Sequence, residues 1–171
     1  LLDDKRFKFV VIDAPLDSDN VASLYIDHAE GQYDVASQIV RENDRVLYLS
    51  GKENGYVTDM RLNGIKKLAE ERHCSLTIRN GEFSENRAYE IAREEAEEFD
   101  DIVCASDLMA IGVRKALGSD SRVRVSGFDG IRLMGYVADD VITCRQDFYS
   151  IGKHALYEAV ELKKGKEPEH I

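Results

Sequence analysis

Asp13, Tyr56, Arg61, Phe83, Ser106 and Asp129 are the residues of this 171-residue chain whose types and positions could do chemistry. Each follows a short β-rich run or opens the helix behind one. Asp13 comes directly after Phe9-Val10-Val11-Ile12, and Tyr56 closes the loop that follows Leu49-Ser50. Phe83 lies in the loop after Ile78, Ser106-Asp107 follows Ala105, and Asp129 follows Val125-Ser126-Gly127-Phe128. In an open parallel sheet those positions share the carboxyl edge, where loop backbone and helix N-termini converge on ligands. Carboxylates accept hydroxyl protons and ring faces pack on apolar patches, so the set suits a polyhydroxylated or heterocyclic ligand. Arg61 is four residues from both Val57 and Ile65, at the border of a buried stripe. Its guanidinium can donate two parallel hydrogen bonds to a ligand, or pair with a neighbouring carboxylate.

Each of these residues also has a purely structural reading. Ser106 and Asp107 are good helix N-caps. Asp129, between Phe128 and Gly130, fits a turn, and Tyr56 or Phe83 alone would be a packing residue. Their common edge is what favours function.

Enzyme signatures are thin. In Gly51-Lys52-Glu53-Asn54-Gly55 the lysine precedes the second glycine, whereas a phosphate-binding loop needs it after. No G-x-G-x-x-G follows a strand, and no G-x-S-x-G elbow occurs. Asp13 and Asp129 could form an acid/base pair, but no third group indicates a reaction. The reading is therefore a non-enzyme without a cofactor. Cys74, Cys104 and Cys144 are too far apart for a C-x-x-C pair, and His28, His73, His154 and His170 have no metal-ligand spacing. Three sparse cysteines suit a reducing compartment, the cytoplasm, rather than a disulfide framework. A formal net charge of -10 repels phosphate backbones, so this segment is not expected to hold nucleic acid. The chain has neither an apolar run long enough for a membrane span nor a secretory signal at its start. It opens on Leu1 rather than Met, which suggests that it begins inside a longer protein.

The elements that must position these residues alternate from end to end. Strand candidates are Phe9 to Ile12, Val46 to Leu49, Leu76 to Ile78, Ile102 to Ala105, Val123 to Ser126 and Val141 to Cys144. Between them, helical spacing runs through Val35, Ala36, Ile39 and Val40; Leu62, Ile65, Leu68 and Ala69; Ala88, Ile91, Ala92, Ala96 and Phe99; and Leu108, Ile111, Ala116 and Leu117. A last helix, around Ile151 to Leu162, carries Ala155, Leu156, Ala159 and Val160 on one side. The pattern predicts an α/β fold with a doubly wound, mostly parallel sheet. The run Glu94-Glu95-Ala96-Glu97-Glu98 reads as a solvated helix face.

Six segments in order resemble the lactose-repressor/galactose-repressor family of transcription regulators. They are the strand Lys8 to Asp13, and Asp27-His28-Ala29-Glu30-Gly31 against D-N-x-x-G, with His28 in place of Asn. Then come Val46 to Gly51 with Arg61-Leu62-Asn63-Gly64, and Ala105-Ser106-Asp107-Leu108-Met109-Ala110-Ile111-Gly112 against A-N-D-x-M-A-x-G. Ser126-Gly127-Phe128-Asp129-Gly130 and Thr143-Cys144-Arg145-Gln146 with Gly152 complete the series. The resemblance implies an effector-binding core of the periplasmic-binding-protein-like type, with two lobes, three crossovers and effector in the cleft. It implies that residues 22–142 form the C-terminal lobe, and that residues 1–21 and 143–171 form part of the N-terminal lobe. The DNA-binding head and much of that lobe would be absent. Asp13, Arg61 and Asp129 match positions that commonly hydrogen-bond effector, Phe83 matches an aromatic platform, and Gln146 falls at the third crossover. Ser106 stands where Asn is usual and Ala14 where Arg is frequent, which separates this chain from a standard sugar site. The implied partners are a small-molecule effector, a second copy of the chain, and operator DNA through the absent head. A periplasmic sugar-binding protein of a transport system shares the fold and is the alternative. Under this reading Val10, Ile12, Leu156 and Val160 lack a complete second sheet to cover them, and self-association through these ends is expected.

Overall fold

The computed structural model describes residues 7–118, 120–169 and 171. The chain divides into two units, Asp27–Gln146 and a smaller one made from both ends, Leu1–Ile26 with Asp147–Ile171.

The larger unit is a five-stranded sheet in the order β4-β3-β5-β6-β7. Its strands are β3 (Arg45–Ser50), β4 (Ser75–Asn80), β5 (Asp101–Cys104), β6 (Arg124–Asp129) and β7 (Ile142–Arg145), and every neighbouring pair runs parallel. Parallel strands need crossovers, supplied by α2 (Tyr56–Glu71), α3 (Glu85–Glu95), α4 (Asp107–Leu117) and the single turn α5 (Met134–Val137), while α1 (His28–Ser37) leads into β3. Helices α1 and α2 pack on each other, and so do α3 and α4. The two pairs cover opposite faces, as β6 shows. Phe128 points to Gly31 of α1, whereas its neighbour Gly127 is backed by Asp107 and Ala110 of α4. Successive strand residues face opposite ways, so a helix layer lies on each side. With both faces covered, β3 and β5 are continuous apolar runs, and Val46, Leu47, Tyr48, Leu49, Ile102, Val103 and Cys104 are all fully buried.

Gly64 sets the approach of α2 to α1. A Cβ there would fall inside contact distance of the Ala29 carbonyl oxygen, so the two backbones meet where only glycine fits.

In the smaller unit β1 (Phe9–Ile12) pairs in parallel with β2 (Val21–Leu24). Helix α6 (Phe148–Lys163) packs on both strands, and the chain end lies along β2 through Tyr25 N–H to Ile171 O (3.0 Å) and Ile171 N–H to Ser23 O (2.8 Å). The strand β2 is absent from the sequence reading, because Val21-Ala22-Ser23-Leu24 carries little β-branched or aromatic weight. Its pairing moves the boundary. The expected division at residues 22 and 142 assigned most of β2 to the larger unit and most of β7 to the smaller, whereas the hydrogen-bonded neighbours place β2 beside β1 and β7 beside β6. Leu156 is 69% exposed, Val160 44% and Ile12 46%, with Val10 half-buried, while Glu158 and Leu162 are the buried residues of α6. The apolar stripe read on this helix faces outward.

Candidate functional site

Because the sheet of the larger unit is parallel, β3, β5 and β6 all end on one edge, which delivers Ser50, Ala105 and Asp129 to it. Helix α2 opens at Tyr56, half-buried at this edge, and carries Arg61 in its second turn. The Arg61 side chain is 4% exposed. Its Nη1 donates to the Ala105 carbonyl, its Nη2 to Asp129 Oδ1 at 3.2 Å, and its Nε to His28 Nδ1 at 3.4 Å. The guanidinium carbon lies 3.8 Å from the centroid of the fully buried Phe128 ring, within range of a cation–π attraction. A charge this enclosed persists only with such partners.

Asp129 is the meeting point. Its Oδ1 also accepts from Gln146 Nε2 at 2.8 Å, so α2, β6 and the segment after β7 converge on one carboxylate. The carboxylate remains 24% exposed. Burial pushes its pKa up, against the lowering effects of the Arg61 charge and the Gln146 hydrogen bond. Gln146 is buried, and among the described residues its Oε1 has no hydrogen-bond partner. Behind Asp129, the buried Asp107 accepts from Thr143 Oγ1 (2.6 Å) and Ile131 N–H (2.8 Å), tying the start of α4 to β7 and to the loop after β6. Burial raises its pKa as well.

Three of the sequence-predicted residues have a strained backbone. Asp129 has φ +121°, Phe83 +56° and Asp13 +62°, a region non-glycine residues rarely enter. Such strain costs on the order of 1–3 kcal/mol per residue and gathers at functional sites. The Phe83 ring lies directly against Gly51, where a Cβ would occupy the ring's place, so the loops after β3 and β4 meet at the same edge. Arg61, Asp129 and Gln146 form one network, with Phe83 and Tyr56 on its edge. Ser106 is buried, and its hydroxyl accepts from Met109 N–H at 3.4 Å as the N-cap of α4. Asp13 belongs to the smaller unit, where its N–H donates to Leu24 O at 2.9 Å. Among the described residues no group of three or more His, Cys, Asp or Glu could hold a metal ion.

Sequence reasoning missed His28, Phe128 and the Ala105 carbonyl as the frame of Arg61. His28 was visible as the residue standing where the resemblance has Asn, and Phe128 as the neighbour of Asp129. A backbone carbonyl leaves no side-chain signal.

No protein-family model and no curated protein matches the chain. Solved structures do. A LacI-family transcription repressor from Corynebacterium glutamicum superposes with a TM-score of 0.86 over 95% of this chain and 67% of its own, at 19% identity. The fold is that of the LacI-family regulators. A sugar-binding LacI-family regulator from Enterococcus faecalis has a TM-score of 0.83 at 25% identity, over 96% of this chain and 66% of its own. The LacI-type fold extends to an ABC-transporter solute-binding protein from Burkholderia multivorans, with a TM-score of 0.81 at 21% identity, over 91% of this chain and 62% of its own. This chain thus spans about two thirds of the length of these neighbours.

Proposed function

We propose that this chain is the effector-sensing part of a cytoplasmic transcription regulator, and that its ligand is a neutral, sugar-like metabolite. The observation that carries the reading is the Arg61–Asp129–Gln146 network on the carboxyl edge of a LacI-type sheet. Arg61 is already neutralised by Asp129 and directs its Nη1 inward to Ala105, so the edge offers an incoming anion little positive charge. The partly exposed Asp129 carboxylate presents an acceptor, which suits hydroxyl donors, and the Phe83 ring beside Gly51 supplies a flat apolar surface for the carbon face of a sugar ring. The E. faecalis neighbour is described as sugar-binding, which supports the same class.

Ligand binding would act on operator DNA through a separate DNA-binding module, with two copies presenting two such modules. The B. multivorans neighbour favours a second reading, a solute receptor for a transporter. A melting-temperature screen of neutral pentoses, hexoses and polyols against their phosphorylated forms tests the ligand class, since a bound ligand stabilises by mass action. Stabilisation by neutral compounds alone is the expected result; stabilisation by the phosphorylated set alone rejects the reading. A gel shift with the full-length protein, in which the sugar that raises the melting point also changes operator affinity, separates regulator from solute receptor.

A further inference from the structure

We infer that His28 is the positioning residue of Arg61: it accepts the Nε proton and so fixes the plane in which the guanidinium meets Asp129. This rests on the reading of Arg61 and Asp129 as the ligand network, although the contact is a property of the chain without any ligand.

His28 is the first residue of α1, just after the N-cap Asp27, and it is fully buried. An imidazole in the first turn of a helix is commonly a solvated residue. Here it is turned inward, with its ring centroid 6.0 Å from that of Phe128 and its Nδ1 3.4 Å from Arg61 Nε. Burying a polar ring has a cost that its hydrogen bonds offset, and Nδ1 of this one is placed against the Arg61 cation. Arg61 Nε can only donate, so Nδ1 is the acceptor and the ring proton resides on Nε2.

The consequence for the guanidinium is geometric. A guanidinium stacked on one aromatic ring can still rotate in the plane of that ring. The Ala105 carbonyl and Asp129 hold it by Nη1 and Nη2, and His28 holds the opposite side, by Nε. Three donors bound on different sides of one planar group leave a single orientation. Gly31, one turn along α1, makes this possible: a Cβ there would lie 3.0 Å from Phe128 Cζ, so the glycine lets α1 approach close enough for the imidazole to reach. A shorter polar side chain in the place of His28, such as Asn, ends nearer the helix backbone.

The test uses the intact 171-residue chain labelled with nitrogen-15. The imidazole spectrum is expected to show His28 Nδ1 unprotonated and Nε2 protonated. Solvent exchange of the Arg61 Nε proton is expected to be faster by about tenfold or more in His28→Leu, the scale of losing a hydrogen bond to a charged group. In His28→Gln the side-chain carbonyl can accept in place of Nδ1, and exchange is expected to stay near that of the unaltered chain. A merely structural histidine would show destabilisation in both variants without the selective change at Arg61. A protonated Nδ1, or equal Arg61 exchange in the Leu variant and the unaltered chain, overturns the inference. Should His28→Leu fail to fold, the tautomer spectrum of the unaltered chain decides alone. None of these measurements needs a ligand, so failure of the sugar screen leaves them standing.

Discussion

Arg61 lies over Phe128 in the larger unit, the guanidinium carbon 3.8 Å from the centroid of a ring that is fully buried. Phe128 is the residue before Asp129 on β6, so the strand that supplies the counter-charge also supplies the platform. The core and the proposed ligand network therefore share residues here, and substitutions must be chosen to separate them.

Asp129 permits that separation, because its backbone strain and its ion pair respond to different substitutions. Asp129→Ala and Asp129→Gly both remove the partner of Arg61, at a cost of about 2 kcal/mol for a partly exposed member of a buried pair. Only the glycine variant relaxes the φ of +121°. Asp129→Gly is expected to be more stable than Asp129→Ala by about 1 kcal/mol in urea denaturation. Equal stabilities would mean that the carboxylate, and not the backbone, carries the whole effect.

Gly64→Ala is expected to destabilise the chain by about 1–3 kcal/mol, because the added methyl meets the Ala29 carbonyl backbone, which cannot move aside without shifting α1. The same change at Gly135, where a Cβ would meet nothing within 4 Å, is expected to be far milder. Denaturation midpoints of the two variants give the comparison directly.

These positions also show how far the sequence could be read. Arg61 was readable from its spacing to Val57 and Ile65 and Gly64 only through the resemblance, whereas the seating of α2 on Ala29 at that glycine came from the structure. The alternation of strands and helices was plain because both faces of the sheet are covered, which makes its strands short, apolar and distinct. What stayed hidden was lateral: which strand lies beside which. Val21–Leu24 gave no strand signal, and its pairing with Phe9–Ile12 changed the boundary of the two units. The candidate site was legible only as a set of loop ends, because the inward commitment of Arg61 to Ala105 and His28 depends on side-chain geometry that no spacing encodes.

On α6, Leu156 and Leu162 are expected to behave in opposite ways. Leu156 is 69% exposed, so Leu156→Gln should change stability by no more than about 0.5 kcal/mol. Leu162 is 4% exposed, and Leu162→Ala should cost about 2 kcal/mol or more. Thermal melts of both variants check the ordering. A large loss from Leu156→Gln, growing with protein concentration, would show that this helix face is covered by another copy in solution.

The last prediction concerns acid. At the amino ends of β5 and β6, Asp101 is fully buried, its carboxylate held by Arg124 through Nε at 2.6 Å and Nη2 at 2.9 Å. Arg124 Nη2 also reaches Asp44 at 2.6 Å, so two carboxylates compete for one cation. Burial is the largest influence on Asp101 and raises its pKa from 3.8 to about 6, against the hydrogen bond from Arg124. A raised carboxyl pKa means that the folded chain binds the proton more tightly than the unfolded chain does. The stabilisation is therefore complete below about pH 4 and is lost as the pH rises through about 6, a change on the order of 2–3 kcal/mol. Asp101→Asn keeps an acceptor for Arg124 and cannot titrate. The stability difference between the unaltered chain and this variant should fall between pH 4 and pH 6.5 and be flat above. Urea denaturation at half-unit pH steps measures it, and a difference that rises with pH over that interval would show that the Arg124 pair outweighs burial.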